Sequence, residues 1–504
     1  GDSLSSSVTE DYNPDPLAKF RQSHINRTPS GAGREVPATA KIAPGLEDGT
    51  IACHSNTELI DRFAREFGGP PQVLARAPGR VNLLGEHVDY NGLPVLPMTI
   101  DRGVTIAARK REDQAVRTRN FDPAFAGEDF ENVPSLPHSG QGSWINYCKA
   151  AIEGVNTDCN IESYPGMDML FTGAIPPAAG LSSSSALVVA TALTYLSVLD
   201  RPVNTEAQRS ELAVLLASAE RYVGVHGGGM DQAIILLGSE GYACKINFFP
   251  LRVERVPVFR DHMFVVCNSL VKADKSGSAV HRYNEGPLTC RLIRALAQKH
   301  AQMAFGGEVE IEHLGDLWFG PLCLTNAEVE SLFREAFPKP RTTLAQAAAV
   351  LGISEAEIRR RWLGDLPEPD SGFNLQARAR HQLTELMRVE QGRDCLLARD
   401  AATFGSLMND SHQSCADDYG VSSPQLDKLV EVARSAGALG SRLTGAGFGG
   451  CTVSLIEKRS LATFVETITN RFYEDFLNHP GIDPLGRDWI LPAHPVAAAD
   501  SEYL

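Results

Sequence analysis

The chain has 504 residues, 43% of them hydrophobic and 22% charged, a composition typical of a globular protein rather than a disordered or fibrous one. This length exceeds what one hydrophobic core usually serves, so we expect two domains with a cleft between them. Lys and Arg total 47 against 62 Asp and Glu, and the formal charge of -15 argues against a broad surface for nucleic acid or an anionic membrane.

Ten cysteines are scattered along the chain without a C-x-x-C pair. This favours reduced thiols in the cytosol over a disulfide framework or a zinc site. The longest apolar stretch, 186–199, is shorter than the roughly 20 residues that span a bilayer, and the first residues lack the apolar core of a signal peptide. We therefore expect a soluble, cytoplasmic monomer that binds small molecules, with no nucleic-acid or membrane partner.

Predicted elements follow one another clearly in the first half of the chain. Residues 1–46 are rich in Ser, Pro, Gly and charge and are predicted to be a flexible tail. Apolar residues recur at helical spacing over 57–67, and the Gly-Gly-Pro-Pro that follows ends this predicted helix. The further elements predicted here are strands at 73–77, 97–109 and 167–171 and a helix at 180–199.

In the second half of the chain, the residue pattern changes at 306–370. Two amphipathic helices, LTNAEVESLFREAF and ISEAEIRRRWLG, are predicted there on either side of Pro338 and Pro340. Another helix is predicted around Leu426, ending at Gly437, and a strand at CTVSL. The boundaries we expect are a first domain at 47–230, a second domain at 231–480 with a helical insert at 306–370, and a C-terminal extension at 481–504.

The first block of chemical interest is RAPGRVNLLGEHVDYNG, residues 76–92. It concentrates carboxylates, an imidazole and amides on a segment that three glycines punctuate. Such side chains can hydrogen-bond several hydroxyls of a sugar at once. The alternative is a solvated turn with an incidental capping network.

The second block is GAIPPAAGLSSSSAL, residues 173–187, which leads from a predicted strand into a predicted helix. Unpaired N–H groups and the positive dipole end of a helix make a phosphate cradle, to which serine hydroxyls add donors or a metal contact. It differs from a Walker motif, which does not occur in the sequence. A flexible linker is the alternative, and the adjoining strand and helix patterns argue against it.

The third block is SRLTGAGFGGCTVSL, residues 441–455, where four glycines precede a predicted strand. Glycines at this density let the backbone approach a ligand or another loop closely. A single glycine-rich turn is more often a tight connection than a ligand site.

Together, and in this order, the blocks resemble the signature motifs of the GHMP kinase superfamily, named for galactokinase, homoserine kinase, mevalonate kinase and phosphomevalonate kinase. GRVNLLGEHVDYNG narrows the resemblance to galactokinases, and it extends over about 57–456. AERYVGVHGGGMDQ and NDSHQSCADDYGVSSPQLDKLV are similar both to galactokinases and to the related N-acetylgalactosamine kinases.

The resemblance implies an α+β fold of two domains. The N-terminal domain is expected to be like the second domain of ribosomal protein S5, and the C-terminal domain to place helices against an antiparallel sheet, with the active site between them. It also implies transfer of the γ-phosphoryl group of ATP, with Mg²⁺, to the anomeric hydroxyl of galactose, giving α-D-galactose 1-phosphate. An N-acetylgalactosamine kinase and a non-catalytic sensor of galactose and ATP are the alternatives.

By position, the resemblance assigns Asp231 as catalytic base and Arg80 as the arginine beside it. A guanidinium keeps an adjacent aspartate ionised and offsets charge on the transferring phosphoryl group. The alternative for Asp231 is an N-cap or a purely structural salt bridge. The positions that bind the sugar in the family fall on Arg80, Glu86, His87, Asp89, Gly228, Asp231 and Tyr283.

The nucleotide positions of the family fall on Trp144, Gly180, Leu181, Ser182, Ser183, Ser184 and Ser185. Ser184 and Glu220 match the Mg²⁺ ligands, which are oxygen donors suited to a hard cation. For Trp144 and Tyr283 the alternative is ordinary aromatic packing. The chain departs from the family after Tyr283, where YNEGPLTC introduces Gly286 and Pro287, and near its end, where the family's closing strand is poorly matched.

Overall fold

The computed structural model describes residues 55–159, 161, 163–176, 179–224, 227–271, 280–306, 309–481, 483–486 and 488–504, with backbone only at 280–283. The tail predicted at 1–46 lies outside these residues.

A six-stranded sheet forms the centre of the first domain. Its strands are β1 (Val73–Asn82), β2 (Pro97–Lys110), β3 (Ala115–Asn120), β4 (Asp129–Glu131), β5 (Met167–Gly173) and β12 (Asp500–Tyr503). Their spatial order is β12-β1-β2-β5-β3-β4, and all neighbours are antiparallel except β3 and β5. The three strands predicted in the first half of the chain are confirmed as β1, β2 and β5.

Helices cover both faces of this sheet. They are α1 (Asn56–Phe67), α2 (Ile145–Asp158), α3 (Ser183–Val198), α4 (Glu206–Ala219) and α5 (Met230–Leu237). Leu59 and Phe63 of α1 pack on one face against Leu74 and Leu170, while α3 packs on β1 and β2 from the other. Alternate residues of each strand therefore belong to different cores.

A hairpin follows the first domain and leads into the second sheet. The hairpin strands are β6 (Tyr242–Asn247) and β7 (Arg252–Pro257). The strands of the second sheet are β8 (His262–Asn268), β9 (Gly440–Thr444), β10 (Cys451–Glu457) and β11 (Ile490–Ala493), antiparallel in the order β11-β8-β10-β9. The strand predicted at CTVSL is confirmed as part of β10.

Helices make up the rest of the second domain. They are α6 (Val280–Phe305), α7 (Asp316–Phe319), α8 (Asn326–Ala336), α9 (Leu344–Leu351), α10 (Glu355–Ile358), α11 (Leu375–Ala398), α12 (Ala401–Ser414), α13 (Pro424–Ser435) and α14 (Leu461–Ile468). The helices α7 to α10 occupy the segment predicted as a helical insert. Capping boxes at Thr325 and Thr343 fix the starts of α8 and α9.

The C-terminal segment contributes one strand to each of the two large sheets. The expected extension at 481–504 supplies β11 to the second sheet and β12 to the first, where Val73 faces Tyr503 across β1. A four-residue strand has too little alternation to be read from sequence, and it forms here because β1 offers an open row of backbone hydrogen-bonding groups. The boundary expected after residue 230 falls at the first residue of α5, which packs on α3, α4 and β1.

Two further features of the described residues are the hydropathy of their helices and the state of their cysteines. None of the helices in them is both long enough and apolar enough to cross a membrane. The nine cysteines in these residues all carry free thiols.

Candidate active site

A small cavity of about 70 Å³ lies where the first and second blocks meet the start of α5. Most of the residues that the sequence singled out line it. They are Arg80, Glu86, His87, Asp89, Ser184, Ser185, Glu220, Gly228 and Asp231. Gly445 and Ala446 bring the third block to the same cavity, which we call the polar pocket.

Arg80 lies in β1 and hydrogen-bonds both to the start of α5 and to the second block. Its Nε donates to Asp231 Oδ1 at 2.7 Å, a second N–H of the guanidinium donates to the carbonyl of Gly180, and its backbone N–H donates to the carbonyl of Leu181 at 3.2 Å. Only 3% of Arg80 is exposed. Burial alone would lower the pKa of Arg80, but the neighbouring carboxylates, chiefly Asp231, raise it overall. The guanidinium is therefore a fixed positive charge at the wall of the pocket.

Asp231 stands in the first turn of α5 and is held from two sides. Besides Arg80, the hydroxyl of Ser182 donates to the second oxygen of the Asp231 carboxylate. The N-cap of α5 is Gly229, so Asp231 is not a capping residue. Its side chain keeps 20% of its surface exposed and lines the polar pocket. The Asp231 carboxylate is thus salt-bridged to Arg80 and is also accessible from the polar pocket.

The second block turns sharply into α3. Gly180 and Ser182 both have positive φ, 76° and 59°, and α3 begins at Ser183. A left-handed conformation is costly for serine and occurs where surrounding contacts enforce it. Here the bond from the Ser182 hydroxyl to Asp231 is such a contact. The result is a helix start rich in hydroxyls that faces the pocket, as a phosphate cradle requires.

Glu220 brings a buried carboxylate to the same edge of the pocket. It is 6% exposed, and Ser185 Oγ donates to its Oε1 at 2.7 Å. Ser184, the hydroxyl that the resemblance pairs with Glu220, lines the pocket beside it. Two hydroxyls and one carboxylate thus converge within the pocket wall.

The third block lies directly on the second. At Gly445, φ is +81°, and a Cβ atom would stand 2.6 Å from the carbonyl oxygen of Gly180. Only glycine allows this approach. Close packing on another loop, one of the interpretations offered for the glycine-rich turn, is therefore found here, and the turn also lines the polar pocket.

Glu86 and His87 of the first block contact the third block through their side chains. Glu86 Oε2 accepts from the N–H of Gly445 at 3.0 Å and lies 3.3 Å from a guanidinium nitrogen of Arg442. Burial raises the pKa of Glu86, and the charges of Arg442 and Arg80 oppose this rise. His87 Nε2 lies 3.1 Å from the carbonyl oxygen of Ala446.

Asp89 and Gly228 meet on the other side of the pocket. A Cβ atom on Gly228 would lie 2.2 Å from the backbone nitrogen of Tyr90, and the N–H of Met230 donates to Asp89 Oδ2 at 3.3 Å. The backbone before α5 is thereby pressed onto the first block. Burial, followed by the nearby charge of Asp231, raises the pKa of Asp89 from 3.8 to about 6.

Two predicted aromatic residues stand apart from this cluster. The indole N–H of Trp144 donates to the carbonyl of Ala126 at 2.9 Å, and its ring meets Phe171 edge-on at 4.9 Å. These are the contacts of a packed aromatic, and Trp144 lies outside the lining of the polar pocket. The side chain of Tyr283 lies outside the described residues.

Several supporting residues were missed in the sequence. The helix α11 turns buried polar side chains toward the first block: Glu385 accepts from the N–H of Gly85 at 2.8 Å, and Gln382 donates to the carbonyl of His87 at 3.0 Å. The ring of Tyr419 stacks on His87 with centroids 4.7 Å apart. The signal that was available is the helical spacing of charged and amide residues in HQLTEL, on a face that would otherwise be apolar.

Comparison with known proteins adds an independent line. A model described as the galactokinase galactose-binding signature matches residues 61–110, and the N-terminal and C-terminal domains of GHMP kinases match residues 146–239 and 393–475. A galactokinase of Roseiflexus sp. (strain RS-1) is 38% identical over 83% of this chain and 92% of its own. The chain belongs to the galactokinase family. This membership confirms the predicted GHMP kinase fold and the class of sugar kinase.

Two further members of the family cover the chain to a similar extent. The galactokinase of Dictyostelium discoideum is 31% identical over 88% of this chain and 93% of its own. The solved structure of Lactococcus lactis galactokinase complexed with galactose is 29% identical, with a TM-score of 0.68 over 88% of this chain and 98% of its own.

The anchoring of the first block by α11 can be tested with Glu385→Gln. Glu385 is fully buried and pairs with Arg388 at 2.6 Å. Because the substitution leaves Arg388, whose side chain is only 11% exposed, without its carboxylate, we expect the free energy of unfolding to fall by about 3 kcal/mol. Urea denaturation measures this loss. Asp394→Asn on the same helix, where the carboxylate is 65% exposed and pairs with Arg393, is the matched control and should cost about 1 kcal/mol or less. Equal losses in the two variants would contradict the anchoring role.

The raised pKa of Asp89 predicts a dependence of stability on pH. A carboxyl group with a higher pKa in the folded state favours folding at low pH, and this contribution is lost as the pH rises through about 6. Asp89→Asn should therefore raise the free energy of unfolding at pH 8, by up to about 3 kcal/mol at about 1.4 kcal/mol per pH unit. At pH 4 the effect should be much smaller. Urea unfolding at both pH values measures this, and an effect of the same size at both would rule Asp89 out as its source.

Proposed function

We propose that this protein is a galactokinase that transfers the γ-phosphoryl group of ATP to the C1 hydroxyl of galactose, yielding α-D-galactose 1-phosphate. The observation that carries the proposal is the Arg80–Asp231 pair in the polar pocket, 2.7 Å apart, between the first block and the start of α3. In this proposal, Asp231 is the proton acceptor between the side chains that would bind sugar hydroxyls and the start of α3, which would bind phosphates. Membership of the galactokinase family supports galactose as the sugar.

In this proposal Asp231 accepts the proton of the attacking hydroxyl. The positive charge of Arg80 keeps Asp231 ionised and also offsets charge that develops on the phosphoryl group. Phosphoryl transfer has a loose transition state, so positioning and electrostatics supply most of the catalysis. The fixed guanidinium supports this role because it needs no rearrangement during the reaction.

Sugar hydroxyls would be bound by Glu86, His87 and Asp89, which already line the pocket together. Gly228 contributes by its lack of a side chain, since its backbone closes the pocket against Asp89. The bonds from α11 to the backbone of the first block fix these side chains before the sugar arrives. Such preorganisation lowers the entropy cost of binding.

The phosphates of ATP would bind at the start of α3, where 180–185 offers backbone N–H groups, serine hydroxyls and the positive end of the helix. The donors beside it fit a magnesium ion, because Glu220, Ser184 and Ser185 supply the hard oxygen atoms that this cation prefers. Magnesium bound there would neutralise phosphate charge. Trp144, on the nucleotide side by resemblance, remains a proposed neighbour of adenine.

The function is tested by incubating the purified chain with MgATP and a panel of galactose, N-acetylgalactosamine and glucose. We expect α-galactose 1-phosphate in the ³¹P NMR spectrum and the highest kcat/KM with galactose, since specificity is a ratio of these values. A higher value with N-acetylgalactosamine would reassign the sugar. Binding of galactose and ATP without turnover would replace the enzyme by a sensor.

The role of Asp231 is tested by Asp231→Asn, which keeps the shape and removes the charge. We expect kcat to fall at least about 100-fold, the usual contribution of a positioned base. The Kd for ATP should change little, because the amide oxygen of the replacement can still accept the hydrogen bond from Ser182 at the start of α3. Isothermal titration with ATP and steady-state kinetics separate the two effects. A kcat close to that of the unaltered protein would remove Asp231 from this role.

A further inference from the structure

A second and much larger cavity adjoins the polar pocket. Its volume is about 730 Å³, within the range of about 300–1,000 Å³ that small-molecule sites occupy. Tyr90 and Gly227–Gly229 form a wall that both cavities share. The opposite walls come from α4, α6, the turn between β6 and β7, and the helical insert. We call it the arginine cavity, for the residues described next.

Four arginines line this cavity: Arg221, Arg291, Arg294 and Arg361. Glu312 is the one acidic residue among the described residues of its lining. The excess of positive charge is local, because the chain as a whole carries a formal charge of -15. A concave surface with this charge attracts anions and raises their local concentration.

Three of these arginines form no salt bridge within the described residues. Arg361 pairs with Glu357. Arg294 donates to the carbonyl of Ile311 instead, and Arg221 and Arg291 have no ion pair there. Burial and the charge of Arg221 lower the pKa of Arg291. Like charges that lie close together repel each other, and a bound anion would relieve this repulsion.

The rest of the cavity wall is aromatic and apolar. Phe249 is 55% exposed and stacks on His313 with centroids 3.5 Å apart. Trp362 and Leu251 lie on the same lining. A further cavity of about 580 Å³ continues from Arg294, Arg361 and Trp362 and adds Lys299. Flat apolar surfaces next to arginines suit a ligand that has both an organic ring and a charged group.

We propose that the arginine cavity binds a phosphate monoester of a small ring-containing molecule. Arginine forks match phosphate oxygens in paired hydrogen bonds, and a monoester carries nearly two negative charges at neutral pH. Four arginines against one glutamate provide the charge to bind it. Sugar phosphates and mononucleotides share this chemistry, and the product of the proposed reaction is one of the former.

Occupancy of this cavity would act on the polar pocket through their common wall. Gly228 lies against the backbone of Asp89 and Tyr90, so a ligand that moves 227–229 also moves two elements of the polar pocket. The binding proposal itself does not depend on the galactokinase assignment. If occupancy of the arginine cavity changed the affinity for the sugar, the cavity would also regulate the proposed galactokinase activity.

Isothermal titration of the full chain with inorganic phosphate, glucose 6-phosphate and AMP tests the proposal. Arg291→Gln and the double variant Arg291→Gln/Arg361→Gln remove charge from the cavity, and both residues are solvent-accessible, so the fold should persist. Arg360→Gln is the matched control, since its side chain is 71% exposed beside Arg361 and lies outside the cavity lining. Thermal unfolding of all variants verifies that they fold.

We expect at least one of the three probes to bind, with Kd raised about tenfold by Arg291→Gln, further raised in the double variant, and unchanged in the control. Binding of all three probes would indicate recognition of the phosphate alone, and binding of only one would identify a sugar phosphate or a nucleotide. Binding whose Kd neither Arg291→Gln nor the double variant changes belongs to another site, such as the polar pocket. The absence of binding, or equal affinity in all four proteins, would overturn the proposal.

Discussion

The guanidinium of Arg80 is a buried cation whose partners come from widely separated parts of the chain. It contacts the Asp231 carboxylate and the Gly180 carbonyl, and the charges of Glu86 and Asp89 also act on it. A buried charge without partners would be strongly destabilising, so β1, the second block and α5 must stay together. The same requirement brings a strong positive charge to the base of the polar pocket. Stability and the proposed chemistry therefore depend on one contact.

The second domain contributes by holding backbone rather than by supplying reactive groups. Glu385 accepts from the N–H of Gly85, Arg442 donates to the carbonyl of Asn82 at 3.2 Å, and Gly445 packs against Gly180. Each of these contacts, two hydrogen bonds and one close packing of backbone, fixes a segment of the first domain from the opposite side of the cleft. Because these groups are buried and mutually hydrogen-bonded, the pocket is formed before any ligand is present. This accounts for a cavity with so little free volume and so many polar walls.

Much of this could be predicted from the sequence, and what was missed has identifiable physical reasons. Long elements with clear periodicity, such as β2 and α3, were placed within a few residues, and the three blocks led to the polar pocket. Glu385 was missed because a glutamate within a helix pattern normally reads as a solvated face. The strand β12 was missed because it is defined by its partner β1 rather than by its own pattern. The arginine cavity could not be foreseen, since Arg221 and Arg361 meet only through tertiary packing.

The proposed mechanism is tested most directly by the crystal structure of this chain with galactose and a non-hydrolysable ATP analogue. It predicts the C1 hydroxyl oxygen of the sugar within about 2.6–3.2 Å of an Asp231 carboxylate oxygen, the reach of a general base. It also predicts the Arg80–Asp231 contact unchanged and the γ-phosphate at the start of α3. A sugar bound with another hydroxyl toward Asp231, or with C1 turned away from the second block, would contradict it.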